Sequence, residues 1–161
     1  MKTINIIFPN QLFKESSLLK SDSTHYLIEE ELFFNHFNFH KQKLYFHRCS
    51  MKNYYDYLRH QKLDISYINS YEKKSDIRKF IDGLDSNHIN KIQCIDPEDS
   101  WLEKRLIKAC EKKGIEIQLF ENPLFINSKK ELEPFFRKDK KKLFQTSFYK
   151  SERNRLGILL D

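Results

Sequence analysis

Short apolar runs that alternate with helix-forming stretches constrain the fold of this chain more than any other feature. The first, Ile4–Phe8, is rich in β-branched residues, as a strand buried on both faces would be, and Pro9 ends it. Four further runs resemble strands: His25–Glu29, Leu63–Ile68, Lys91–Ile95 and Ile115–Phe120. Because strands that alternate with helices form right-handed βαβ crossovers, we predict an α/β fold with a doubly wound, five-stranded parallel sheet.

Helical spacing of apolar residues fills the gaps between these runs. Lys41–Gln61 and Lys74–Leu84 both carry an apolar stripe at helical period. A further helix is predicted to start at Asp96-Pro97, since Asp can cap a helix and Pro suits its first position. Gly114 then fits the left-handed position that follows a helix.

The alternation stops after Glu121, which predicts two parts: an α/β domain over residues 1–125 and a basic lead-out over 126–161. From Lys129 to Asp161 there are ten Lys or Arg against five Asp or Glu, so this segment supplies +5 of the net charge of +6. Such a segment either attracts nucleic acid or forms a solvated helix and linker, and composition leaves both readings open.

Composition also excludes some classes of function. No glycine precedes Gly83, so the glycine-rich phosphate loop of ordinary NAD or ATP sites is absent after the first strand. No apolar stretch is long enough to cross a bilayer, and the start of the chain lacks the apolar core of a signal peptide, so we expect no membrane partner and a cytoplasmic protein. Cys49, Cys94 and Cys110 lack metal-ligand spacing and are predicted to be reduced core thiols.

Polar side chains follow several predicted strands at their carboxyl ends, where open parallel sheets bind ligands. Asn10 and Gln11 follow the first strand, Glu29 ends the second, and Asp96 with Glu98 follows the fourth. These groups either converge on a ligand or cap helices and loop amides; for Asp96 the capping role is favoured.

The sequence gives little support for metal binding or for nucleophilic catalysis. The six histidines do not form a metal set, and no Ser-His-Asp or Cys-His arrangement is readable. Phe33, Phe34, Phe37 and Phe39 follow Glu29 directly, so they are either core residues or part of a ligand pocket at the same edge.

Several segments together resemble the N-terminal domain of deoxyribodipyrimidine photolyase-related proteins, the bacterial photolyase and cryptochrome branch with an iron-sulfur cluster. The likeness spans essentially the whole chain, and it rests on the order and spacing of its pieces. These are Phe8–Leu12, Glu29–Glu30, Phe39–Leu44, His47–Met51 and Ser147–Leu160.

The resemblance implies an α/β antenna domain that can hold a light-harvesting chromophore, in this branch 6,7-dimethyl-8-ribityllumazine. In the family, FAD and the iron-sulfur cluster belong to a helical C-terminal domain, which would be this domain's partner. Gly157–Asp161 lies where family members continue through the linker, so we expect a truncated chain. DNA would be bound through the full-length protein.

The resemblance also implies a set of ligand contacts. The loop after the first strand, the acidic end of the second strand and the start of the first long helix surround the antenna pocket in the family. Pro9-Asn10 stands where Gly-Asp is commoner, which removes a charged contact to the ring. The predicted ligand-binding residues are Asn10, Gln11, Glu29, Phe39, His40 and Lys43.

The leading prediction is therefore an antenna-type domain of a photolyase-like or cryptochrome-like flavoprotein, which acts in light-driven DNA repair or light sensing. The chain alone should be catalytically inert, since through-space energy transfer needs no reacting side chain. We expect Glu29→Ala to weaken chromophore binding without unfolding the domain. The alternatives are a stand-alone Rossmann-like nucleotide-binding domain and a nucleic-acid-binding module that uses the basic end.

Overall fold

In the computed structural model, which describes residues 2–137 and 139–159, a parallel sheet forms the centre of the first of two compact units, which ends at Asn122. Its five described strands lie in the order β3-β2-β1-β4-β5, and every neighbouring pair is parallel. The predicted α/β fold with a doubly wound, five-stranded parallel sheet is confirmed. The strands are β1 Lys2–Ile7, β2 Thr24–Ile28, β3 Ile65–Ile68, β4 Ile89–Ile95 and β5 Glu116–Phe120.

Helices connect the strands and cover both faces of the sheet. The α-helices of this unit are α1 Glu31–Phe34, α2 Lys41–His60, α3 Ile77–Asp82 and α4 Ser100–Lys113. Two further described helices, α5 Lys129–Leu132 and α6 Gln145–Leu156, belong to the second unit. Within the described ranges, none of them is long and apolar enough to cross a membrane.

The apolar core has two layers because successive strand residues point to opposite faces. Ile6 packs into the layer that α3 and α4 cover, whereas Ile7 packs into the layer that α2 covers. Both side chains are almost fully buried, and each such burial stabilises the fold by roughly 1.5–3 kcal/mol. This two-sided burial explains why apolar residues occupy both faces of the first strand, with the buried Asn5 as an exception.

Two predictions from the sequence are wrong: the start of the helix after β4 and the burial of Cys49. The helix after β4 begins at Ser100, and its cap is Asp99, whose side chain accepts hydrogen bonds from two backbone N–H groups of the first turn. Asp96 instead closes a turn by accepting from the N–H of Glu98. Cys94 and Cys110 are core thiols as predicted, but Cys49 lies on the exposed side of α2.

Residues 123–161 form a second compact unit. The rings of Phe135, Phe136 and Phe148 pack together within it, at centroid separations of 4.9 to 5.3 Å. Arg155 of α6 joins the two helices of this unit through its ion pair with Glu131 of α5, and it also pairs with Glu152 within α6. Of the predicted lead-out, residues 138, 160 and 161 lie outside the described residues.

Candidate ligand site at the carboxyl edge of the sheet

The strand order creates a switch point between β1 and β4, because the chain winds outward from β1 in one direction and from β4 in the other. Ligands of open α/β sheets bind at such a point, beyond the carboxyl ends of the strands. Gln11 spans it: its side-chain N–H₂ donates to the backbone carbonyls of Ile95 and Asp96, both at 3.0 Å. Asn122, which follows β5, donates to the same Asp96 carbonyl. This edge is therefore held together by side-chain amides.

Two buried amide oxygens lie at this edge without an acceptor role. The side-chain oxygens Oδ1 of Asn10 and Oε1 of Gln11 are buried and accept no hydrogen bond from any described residue. Gln11 as a whole is only 2% exposed. Since buried polar atoms in folded proteins nearly always have a partner, each of these two oxygens has capacity for a hydrogen bond from a bound water or a ligand. The side-chain oxygen Oδ1 of Asn5, in the interior of the same unit, is in the same state.

Gln11→Ala is expected to lower the free energy of unfolding by about 2 kcal/mol, because the buried carbonyl of Ile95 loses its Gln11 donor and the partly buried carbonyl of Asp96 loses one donor and keeps that of Asn122. Chemical denaturation of the purified chain measures this change. Gln42→Ala, an exposed glutamine on α2, is the control and should change the value by no more than about 0.5 kcal/mol. Equal effects of the two variants would refute the bridging role of Gln11.

Glu29 is the most heavily bonded carboxylate at this edge. Its side chain is fully buried, and Arg48 of α2 donates to both of its oxygens at 2.7 Å. The hydroxyl of Tyr67 and the backbone N–H of Ser70 donate to it as well. The carboxylate thus ties the end of β2 to both α2 and β3.

The two adjacent glutamates differ in their tendency to ionise. Burial alone would raise the pKa of Glu29, but the hydrogen bonds from Arg48, Tyr67 and Ser70, together with the Arg48 charge, lower it. Glu30 is equally inaccessible, and burial raises its pKa to about 7 despite hydrogen bonds from the N–H groups of Leu32 and Ile77. Glu29 is therefore a fixed charge, whereas Glu30 takes up a proton near neutral pH.

Four rings form an aromatic cluster beyond the carboxyl ends of β2 and β4. His36 is central: its ring lies 4.5 Å from that of Phe37 and 5.7 Å from that of Trp101, centroid to centroid. Phe39 packs edge-on against Phe37 at 5.9 Å. Phe37 and Trp101 are each more than half exposed, so their rings offer free surface on which a planar ligand can stack. We call His36, Phe37, Phe39 and Trp101 the aromatic mouth cluster.

Glu31 connects this cluster to α4. Glu31, in the first turn of α1, binds Arg105 of α4 at 2.7 Å and faces the ring nitrogen Nδ1 of His36 at 3.4 Å. The segment after β2 and the start of α4 are thereby connected across β1, which lies between β2 and β4 in the sheet. The cluster therefore lies beside the switch point.

The contacts divide the six predicted ligand residues into three groups. Asn10 and Gln11 lie at the β1–β4 edge, whereas Glu29 is engaged with α2 and β3. Phe39, His40 and Lys43 surround the start of α2: the Lys43 ammonium lies 3.8 Å from the Phe39 ring, and His40 caps the helix by accepting from the N–H of Gln42. Their assignment to ligand binding stays a prediction.

The sequence patterns did not point to Trp101, to its edge-to-face contact with His36 or to the Glu31–Arg105 ion pair beside them. Sequence spacing considers His36 only as a possible metal ligand, and the six histidines of the chain do not have the spacing of a metal site. Trp101 is the one tryptophan of the chain, and it follows the fourth strand by six residues, at the first turn of a helix. A large aromatic residue just beyond a carboxyl strand end is the signal that would have found it.

An α/β unit of this topology, with buried amides and exposed rings at the switch point, has the features of a Rossmann-like ligand-binding domain. Comparison with known proteins identifies the protein family. The chain belongs to the deoxyribodipyrimidine photo-lyase-related protein family, whose model matches residues 5–161. It is also 33% identical, over 172 aligned residues, to the uncharacterized protein R852 of Acanthamoeba polyphaga mimivirus. That alignment covers all of this chain and 86% of the viral protein.

Proposed function

We propose that this chain is the antenna-type domain of a photolyase-like or cryptochrome-like flavoprotein, and that the carboxyl edge of its sheet binds 6,7-dimethyl-8-ribityllumazine. Membership of the photolyase-related family supports the parent class. The observation that carries the ligand proposal is that the buried, unpartnered oxygens of Asn10 and Gln11 and the exposed rings of Phe37 and Trp101 all lie at the carboxyl edge of the sheet.

The chemistry of this ligand suits the residues present. A lumazine carries a ring N–H and ribityl hydroxyls, which are the donors that the amide oxygens of Asn10 and Gln11 lack. Its flat ring system suits stacking on Phe37 or Trp101. Glu29 has no such spare capacity, because each of its oxygens already accepts two hydrogen bonds. Its part in the site is to fix the end of β2.

When bound, the lumazine would absorb light and pass the energy through space to a flavin. The residues of this chain would then bind and orient the ring and exclude water, with no covalent step. FAD and an iron-sulfur cluster would reside in a helical C-terminal domain of the parent, which would act in DNA repair or light sensing. The described residues contain no group of three or more His, Cys, Asp or Glu side chains that could hold a metal ion.

Titration of the purified chain with 6,7-dimethyl-8-ribityllumazine tests this proposal, with riboflavin as comparison. Because Trp101 is the single tryptophan and belongs to the aromatic mouth cluster, its fluorescence should be quenched saturably as the ligand binds. Trp101→Ala is expected to weaken binding about tenfold, which corresponds to a lost stacking contact of about 1.4 kcal/mol. Ligand fluorescence measures the variant.

Phe46→Ala is the matched control, since Phe46 is a more exposed ring on α2 and contacts no member of the aromatic mouth cluster among the described residues. It should leave the affinity unchanged. Absence of saturable binding by a folded sample would overturn the ligand proposal. Equal losses in Trp101→Ala and Phe46→Ala would move the binding surface away from the carboxyl edge.

A further inference from the structure

A basic groove runs between α3 and α4, on the outer side of the helical layer. Its volume is about 560 Å³, and seven of its nine lining residues are Lys or Arg. One acidic residue, Asp82, and Ala109 complete the lining. The basic residues are Arg78, Lys79, Lys104, Arg105, Lys108, Lys112 and Lys113.

The net charge of the α/β body does not reveal this groove. Residues 1–128 carry a net charge of only +1, which indicates a nearly neutral α/β body. The fold, however, collects positive charge from two helices that are distant in sequence and brings it to one concave surface. Charge segregation of this kind creates a local positive potential that total charge does not reveal.

The cations of the groove differ in how far the protein already neutralises them. Arg78 is paired with Asp76 and Arg105 with Glu31. Lys112 approaches Asp82 only at 3.9 Å. Lys79, Lys104 and Lys108, in contrast, form no ion pair within the described part of the chain and are left to interact with an external anion. Lys104 and Lys108, together with Lys79, which interacts with Asp76 only at longer range, are therefore the least neutralised positive charges of the groove.

The spacing of the lysines favours an extended ligand over a single anion. Lys104, Lys108 and Lys112 succeed one another at four-residue intervals, so they form a row along one side of α4. With a helical rise of 1.5 Å per residue, adjacent members are about 6 Å apart along the axis and the row spans about 12 Å. The phosphates of one DNA strand advance by about 3.4 Å each along the duplex axis, so a row of this length aligned with the axis passes about three or four phosphates.

We propose that the groove between α3 and α4 binds the phosphate backbone of duplex nucleic acid without reading its sequence. The lining contains no aromatic ring, so it offers no platform for the stacked bases of a single strand. Its single apolar residue is Ala109, so it also lacks the apolar face with which helices enter a membrane interface. Lysine ammonium groups contact phosphates as point charges and carry no base preference.

Fluorescence anisotropy with a labelled DNA duplex of mixed sequence, titrated at several salt concentrations, tests this proposal on the whole chain. Wild type should bind weakly, with Kd on the order of 10 μM at physiological salt, and the affinity should fall steeply as salt is added. The variant K104Q/K108Q/K112Q is expected to lose at least tenfold in affinity at low salt. Its slope of log K against log salt should become shallower by about 3, one for each lost phosphate contact.

The matched control removes the same charge elsewhere. K141Q/K142Q/K150Q changes three exposed lysines in the 123–161 unit and should keep the wild-type salt slope to within about 1. Loss of DNA binding in this control, with the groove variant unaffected, would assign nucleic-acid binding to the basic C-terminal segment and overturn the proposal. Absence of DNA binding by wild type would overturn it as well.

Two further measurements distinguish DNA binding by the groove from a folding defect and from a membrane contact. All three substituted lysines are exposed, so circular dichroism should show a native fold for the groove variant. If that variant instead loses binding to phosphatidylserine vesicles while DNA binding is unchanged, the groove is a membrane contact and the proposal fails. Lumazine affinity should stay at the wild-type value, because the proposal does not depend on the ligand site; either one can fail alone.

Discussion

Glu29→Ala is expected to lower the free energy of unfolding by about 3 kcal/mol, which corresponds to a fall in Tm of roughly 10 °C for a chain of this size. The substitution removes the acceptor for the buried N–H of Ser70 and for the Tyr67 hydroxyl, and it leaves a cavity at the end of β2. The Arg48 side chain is about half exposed, so it can turn to water, and the loss lies at the lower end of that expected for a broken buried ion pair. Thermal and chemical denaturation measure both quantities.

A double-mutant cycle shows whether this loss comes from the Glu29–Arg48 pair. Arg48→Ala alone should also destabilise the fold, because it leaves the Glu29 carboxylate buried with two of its four hydrogen bonds. The double variant should be more stable than the sum of the single effects predicts, by about 1–3 kcal/mol. Arg59→Ala, an exposed arginine on the same helix, serves as control. Additive effects of Glu29→Ala and Arg48→Ala would contradict a shared interaction.

This expected result changes how a ligand experiment on Glu29 must be interpreted. From sequence alone, Glu29→Ala was expected to weaken chromophore binding without unfolding the domain. With the carboxylate bonded to Arg48, Tyr67 and Ser70, a weaker affinity in the variant would also follow from displacement of the β2 end. Trp101→Ala gives a cleaner test, because the ring is exposed and its removal leaves no buried polar group unpaired.

The fold was predictable because it depends on local patterns. The central strand β1 is covered on both faces, and the other runs are short and rich in β-branched or aromatic residues, so their composition separates them from the longer amphipathic helices. Gly114 was placed correctly after α4, since its φ of +68° is one that glycine adopts readily. The start of α4 was misplaced because Asp96 and Asp99 both suit a helix cap. Only backbone geometry decides between two candidate caps three residues apart.

The candidate site was less predictable because its contacts join segments that are far apart in the chain. Asn10 and Gln11 were found from their position after a strand, but the contact of His36 with Trp101 spans β1 and depends on strand order. The basic groove depends likewise on the packing of α3 beside α4. Strand order and helix packing are long-range properties, and local periodicity does not contain them.

Glu30→Gln is expected to remove a pH dependence of stability worth roughly 3 kcal/mol. Burial raises the pKa of Glu30 to about 7 in the folded protein, whereas the ordinary value is 4.5. Between these two values the folded chain holds a proton that the unfolded chain has lost, so the free energy of unfolding falls as the pH rises from 4.5 to 7. Below this window the residue is neutral in both states and contributes no pH dependence.

The measurement is a series of denaturation curves for wild type and variant between about pH 4 and pH 8. Glutamine can still accept the hydrogen bond from the Leu32 N–H but cannot ionise, so the variant should be slightly less stable than wild type in acid and more stable above neutral pH. The two stability profiles should therefore cross. Glu111→Gln, an exposed glutamate on α4, should give a profile parallel to wild type. A parallel profile for Glu30→Gln would show that Glu30 is already ionised in the fold, and that the charge of Arg105 offsets its burial.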